Sequence, residues 1–150
     1  MDFIHQIITN QVLWVPFCAW VLAQVLKLII ASITFRQAKW SYLTTMGGMP
    51  SSHSTLACAL ATTVGIVEGV GSVVFAISVF FAMIVMYDAT GVRQTVSKQS
   101  VMLNRILDEL LKGKPDFDHR LRELIGHSVI EVTAGALLGI IFSILVLVWI

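Results

Sequence analysis

Long apolar stretches alternate with polar ones along the chain. Val12 to Phe35 is an apolar run interrupted by Gln24, Lys27 and Ser32. Roughly 20 such residues cross the hydrocarbon core of a bilayer, so this run predicts a transmembrane helix. Arg36 to Gly48 is polar and basic and reads as a loop. Ser54 to Val67 predicts a second, shorter helix, with Ala57, Ala61, Gly65 and Gly69 at four-residue steps on a face that another helix can approach closely. Glu68-Gly69-Val70-Gly71 makes a turn, and Ser72 to Tyr87 returns as a third helix. Both of these helices are short for a full span. Ser128 to Ile150 predicts the last span, with Gly135 and Gly139 four apart and Ser143 following. The pattern therefore predicts four spans, with a re-entrant hairpin as the alternative for the short middle pair.

Asp88 to Gly126 is the one long polar region. Inside it Leu103, Ile106, Leu107, Leu110 and Leu111 recur at i, i+3, i+4, i+7 and i+8. Lys98, Arg105, Asp108, Glu109 and Lys112 take other positions. That is an amphipathic helix lying at the membrane surface or covering the protein, ended by Gly113-Lys114-Pro115. The expected fold class is all-α integral membrane, with about four transmembrane helices plus a cytoplasmic amphipathic helix, in one domain over 1–150.

Composition agrees. Of 150 residues, 57% are hydrophobic and 13% charged, against roughly 45–50% and about 25% in soluble domains. Cys18 and Cys58 lie in apolar segments and make no disulfide or metal-ligand pattern. No metal or other cofactor and no nucleic-acid partner is expected. The start Met1-Asp2-Phe3-Ile4-His5 lacks the basic residues and cleavage site of a signal peptide, so the first apolar run is expected to persist in the mature protein.

The basic residues suggest an orientation. Arg36 and Lys39 follow the first helix. Arg93, Lys98, Arg105, Lys112, Lys114, Arg120 and Arg122 lie between the third and fourth, while the two termini and the turn at Glu68 carry no Lys or Arg. Lys and Arg accumulate on the cytoplasmic side. The expected location is a bacterial plasma membrane, with both termini outside and the 88–126 loop inside.

This topology gathers three polar clusters on the basic side. Gly47-Gly48-Met49-Pro50-Ser51-Ser52-His53-Ser54 opens the second helix, with Pro50 suited to a first helical turn. N–H groups at a helix N-terminus bind anions, which makes Ser51 and Ser52 candidate phosphate ligands and His53 a proton donor beside them. The plainer alternative is an interfacial loop. Asp88-Ala89-Thr90-Gly91-Val92-Arg93 closes the third helix. Arg93 offers a planar fork for phosphate oxygens, and Asp88 could orient or balance it. His127 and Glu131, four apart, share a helix face. A carboxylate on one ring nitrogen fixes the tautomer and makes the other a base or nucleophile. The alternative is a buried pair that ties helices together. Lys27 either points into the polar cavity or snorkels toward headgroups. His5 and His119 read as solvated.

These three motifs, with Met86-Tyr87 before the second and Glu123-Leu124-Ile125-Gly126 before the third, resemble the divergent type 2 phosphatidic acid phosphatase family, related to acid phosphatases and vanadium haloperoxidases. The resemblance covers nearly the whole chain. It implies metal-independent hydrolysis of a phosphate ester through a phosphohistidine. His53 matches the general acid of a Pro-Ser-Gly-His motif, with Ser52 where Gly is usual. His127 matches the nucleophile, with Glu131 where Asp is usual. Two cationic positions of the superfamily are not matched. Lys27 and Arg36 have the wrong spacing for its first motif and lack the Pro, and the Arg six residues before the nucleophile falls on Leu121, flanked by Arg120 and Arg122.

The expected function is a membrane phosphatase acting on a lipid phosphate monoester or prenyl pyrophosphate, such as phosphatidic acid, phosphatidylglycerophosphate or an isoprenoid phosphate. His127, His53 and Glu131 are the expected catalytic residues, and Ser51, Ser52, Arg93, Lys27 and Asp88 the expected phosphate-binding ones. A lipid phosphate is the expected partner, and a homo-oligomer that completes the cavity is a candidate assembly. The rival expectation is a lipid- or phosphate-binding, or structural, membrane protein that keeps the site without turnover.

Overall fold

A computed structural model of the chain describes residues 3–35, 48–110 and 127–149, all helices and short connections. Among the described residues six helices follow in order: α1 (Phe3–Thr9), α2 (Gln11–Phe35), α3 (Ser52–Val67), α4 (Val73–Thr90), α5 (Val92–Leu110) and α6 (Val129–Trp149). Among the described residues α2, α4 and α6 are long and apolar enough to cross a membrane. The 16 residues of α3 rise only about 24 Å, short of the roughly 30 Å hydrocarbon layer. The all-α membrane fold is as expected, with three long apolar helices and a shorter one.

The short helix is the centre. α3 packs against α2, α4 and α6, while α2 also meets α6 and α5 leans on α4. Among the described residues the largest fully buried side chains are all hydroxylated: Thr55, Thr63, Ser51, Ser54 and Ser143. Large apolar side chains such as Ile77, Phe80, Ile84, Ile141 and Val148 point outward. A soluble protein would bury these. Lipid tails are as apolar as leucine, so helix association in a bilayer rests on close packing of small residues and hydrogen bonds instead.

The interface of α3 with α6 has that form. A Cβ on Gly135 would overlap the carbonyl oxygen of Ser51, and one on Gly139 would overlap that of Thr55. One turn further, Ser143 Oγ donates to the Ala59 carbonyl at 3.2 Å. Gly135, Gly139 and Ser143 thus ride on Ser51, Thr55 and Ala59, four-residue steps against four-residue steps. The predicted small face of α3 serves a different neighbour. Ala57, Cys58 and Ala61 pack with Ala82 of α4, and Gly65 accepts the ring of Phe75. On α2 Val15, Ala19, Ala23 and Lys27 are buried at four-residue steps, with Pro16 buried beside Val15.

Three boundaries differ from expectation. α1 was not foreseen. Asn10 separates it from α2, its side-chain oxygen accepting from Leu13 N–H at 3.3 Å, and Trp14 Nε1 ties back to the Ile7 carbonyl at 2.9 Å. α4 runs on to Thr90, so Asp88 sits in its last turn rather than in a loop. Pro50 lies outside α3, since Ser51 is the N-cap and Ser52 the first helical residue. The amphipathic segment is helical through Leu110. Its predicted end at 113–115 lies outside the described residues.

Candidate active site

The first turn of α6 holds a polar group fixed by three hydrogen bonds. His127 precedes the helix, 5% exposed, and its Nδ1 lies 3.0 Å from Glu131 Oε2. An ionised carboxylate only accepts, so Nδ1 donates and, in the neutral ring, Nε2 keeps its lone pair. The same Oε2 accepts from the Ser128 N–H at 3.0 Å, and the Glu131 N–H donates to Ser128 Oγ at 3.3 Å. This is a capping box: two otherwise unmet donors of the helix end are satisfied reciprocally. The expected pairing of His127 with Glu131 is present, but not because both sit on one helix face. His127 is outside the helix, and the capping box turns the carboxylate back to meet it.

The entry to α3 lies directly against this turn. The Ser51 N–H donates to the Glu131 carbonyl at 3.0 Å. Ser51 is wholly buried, and its Oγ accepts from Ser54 Oγ at 3.0 Å and from the Ser54 N–H at 3.4 Å. Its carbonyl accepts from the Thr55 N–H and from Thr55 Oγ1. Ser51, expected to offer its N–H to phosphate, is therefore committed to the scaffold in this structure. Ser52, 6% exposed, starts the helix beside it.

Lys27 points inward. It is 7% exposed, and a Cβ on Gly48 would stand 3.2 Å from its Cε, so the loop backbone lies against the lysine stem. Gly48 has φ +91°, a left-handed conformation that glycine adopts at no steric cost. The Lys27 ammonium lies within electrostatic range of the Glu131 carboxylate. The lysine's burial fits an inward position rather than one at the headgroups, and Lys27 is not among the residues that line the cavity shared by His53 and His127.

A cavity of about 240 Å³ opens where these pieces meet, lined by His53, Asp88 and His127 together with Ile84, Val85 and Ala89. The start of α3, the last turn of α4 and the approach to α6 each contribute one polar side chain. Arg93 lies in α5, just beyond Gly91, but its side chain is outside the described residues.

Residues 8–142 match the family model described as the divergent PAP2 family. The chain belongs to that family. It is also 38% identical over 149 residues to a protein of Bacillus subtilis (strain 168) named uncharacterized membrane protein YuiD, covering 92% of this chain and 94% of that one. No solved structure matches. This divergent PAP2 protein is accordingly a phosphatase-related integral membrane protein.

Two features of this candidate site lie outside the expected residue set. Ser128 was not among the candidates, although Ser128-Val129-Ile130-Glu131 carries the Ser-x-x-Glu signature of a capping box. Val85 and Ile84 line the cavity as well, and only the turn of α4 that carries them past Asp88 could have pointed to them.

Proposed function

We propose that this protein is a metal-independent phosphatase of membrane lipid phosphates, working through a phosphohistidine. One observation carries the reading: two histidines from separate motifs, His53 and His127, line one cavity, and the Nδ1 of His127 is held by a carboxylate. In the proposed reaction Nε2 of His127 attacks phosphorus and forms a P–N bond as the ester P–O bond breaks. His53 gives its proton to the leaving oxygen. Water, deprotonated by His53, then attacks phosphorus, the P–N bond breaks and inorganic phosphate leaves. Positioning and electrostatic stabilisation carry most of such a transfer. Ser52, Lys27 and Arg93 are the proposed contacts to phosphate oxygens, and Asp88 the balancing charge. The substrate is a lipid phosphate monoester or prenyl pyrophosphate. The basic segments before α3 and after α4 support a site on the cytoplasmic face.

A non-catalytic reading is favoured by one observation: the Ser51 N–H is bonded to the Glu131 carbonyl, which removes one of the donors available to an anion. Phosphate release from a panel of lipid phosphates by purified protein in detergent decides between them. Activity above that of His127→Ala supports the phosphatase. Vanadate binding without turnover supports the binding protein.

A further inference from the structure

A second cavity, about 290 Å³, lies beside the first. It is walled by Val12 and Pro16 of α2, Leu56 and Leu60 of α3 and Phe81 of α4, and His53 and Val85 line both cavities. Apart from His53, every residue around the second cavity is apolar. Along α3 its wall runs from His53 to Leu60, about 10 Å of helix rise. Two of the three walls are spanning helices, and Leu13, Leu56 and Phe81 on its border are exposed at the bundle surface. The cleft therefore lies at hydrocarbon depth and is reachable from the lipid.

From this geometry we infer that the cleft between α2 and α4 is the binding site for a hydrocarbon chain carried on the ester oxygen of a phosphate held at His53 and His127. The inference rests on the phosphatase reading for the identity of the head, and it adds where the tail lies and which residues select it. The occupant follows from the junction. A polar cavity and an apolar cleft that share His53 suit one amphiphile, with its polar–apolar boundary at that ring. An apolar molecule without a head would leave the polar cavity empty, and a soluble phosphate would leave the cleft empty.

The cleft cannot act mainly through affinity. A tail moving from bilayer to cleft exchanges one apolar environment for another, with little hydrophobic gain. Its contribution is orientation: a tail fixed along α3 sets the angle at which the ester presents phosphorus to His127. Chain length then appears chiefly in kcat, with KM changing less. Leu60 and Phe81, at the end of the cleft far from His53, are the chain-selecting residues.

Two measurements on the intact protein in detergent micelles test this. In the first, a long-chain alkyl phosphonate with a mid-chain diazirine is photolysed on the wild type and the labelled residues are mapped. Label on Leu56, Leu60 and Phe81 that is displaced by unlabelled phosphonate, and not by the alkanol of equal length, is the expected result. Label spread over the outer faces of α4 and α6, or displaced equally by the alkanol, overturns the inference. Competition by a prenyl phosphonate and by a phosphonate analogue of phosphatidate distinguishes an isoprenoid from a diacyl source.

In the second, Leu60→Trp is expected to lower the ratio of long-chain to short-chain ester turnover at least tenfold, with Ile141→Trp on the lipid face as the control. An unchanged ratio in Leu60→Trp overturns the inference. Phosphonate labelling needs no turnover. Head-dependent label in the cleft without phosphate release would defeat the phosphatase reading and leave the tail site standing. Phosphate release with scattered label would do the reverse.

Discussion

The backbone N–H of Ser51 donates to the carbonyl oxygen of Glu131 at 3.0 Å, joining the helix start that carries His53 to the helical turn that orients His127. Gly135 makes the bond possible, because any side chain there would meet the Ser51 carbonyl. Helix packing and the alignment of the two histidines are thus set by one contact.

Gly135→Ala is therefore expected to lower stability by about 1–3 kcal/mol, the range for overpacking a close contact, and to reduce phosphate release further than the loss of folded protein explains. Gly71→Ala is the matched control, since nothing lies within 4 Å of a Cβ at that position. Unfolding in mixed micelles, read beside activity per folded molecule, checks both. Equal stability of the two variants would contradict the packing.

Ser128 supports the site through Glu131. Ser128→Ala removes the acceptor for the Glu131 N–H and is expected to cost about 1 kcal/mol. Its turnover should fall as well, because the carboxylate loses part of what holds it against Nδ1. Ser128→Thr keeps a capping hydroxyl and should recover both. Thermal midpoint and kcat measured on the same preparations separate this from a nonspecific loss of fold.

Glu131→Gln distinguishes orientation from capping. Glutamine still completes a capping box, so stability should hardly change. Its amide can donate to Nδ1 and move the ring proton to Nε2, the nitrogen proposed to attack. Turnover should then fall by as much as ~10⁴-fold, the scale seen when a carboxylate that orients a catalytic histidine becomes an amide. Trapping of a phosphorylated protein after a brief pulse of labelled substrate should be lost in His127→Ala and slowed in Glu131→Gln.

The pH profile should be bell-shaped. As pH falls, protonation of His127 removes its lone pair and the rate drops. As pH rises, His53 loses the proton it would give the leaving group, and the rate drops again. His53→Gln should lose about 10²–10⁴-fold with an alkyl ester and flatten the alkaline limb. An aryl phosphate, whose leaving group needs little protonation, should recover much of that loss.

Much of this was legible along the chain, and the departures have physical reasons. The spans announced themselves by hydropathy, and Gly135, Gly139 and Ser143 by their spacing. The partner surface did not. The stripe that meets α6 is Ser51, Thr55 and Ala59, two of them polar, and a search for apolar faces passes over it. Ala57, Ala61 and Gly65 looked like the closer contact and instead receive the α4 side chains. In the site, the spacing of His127 and Glu131 was informative although the expected helix face was wrong: a carboxylate three residues past an N-cap reaches back beyond the cap. Asp88 and His53 were named from their motifs, and it took the antiparallel packing of α3 and α4 to bring them to one cavity. Ser51 misled because a helix N-terminus looks the same in sequence whether its N–H is open or already bonded.

The shortness of α3 has a consequence of its own. At about 24 Å, the central helix is roughly 6 Å shorter than an average hydrocarbon layer, while α4, α6 and α2 rise about 27, 32 and 38 Å. Its two ends can therefore both lie level with the headgroups only where the bilayer thins. Turnover in vesicles should then vary with acyl-chain length of the host lipid and peak in thin membranes, making bilayer thickness a control on when the two histidines can reach a phosphate at the surface.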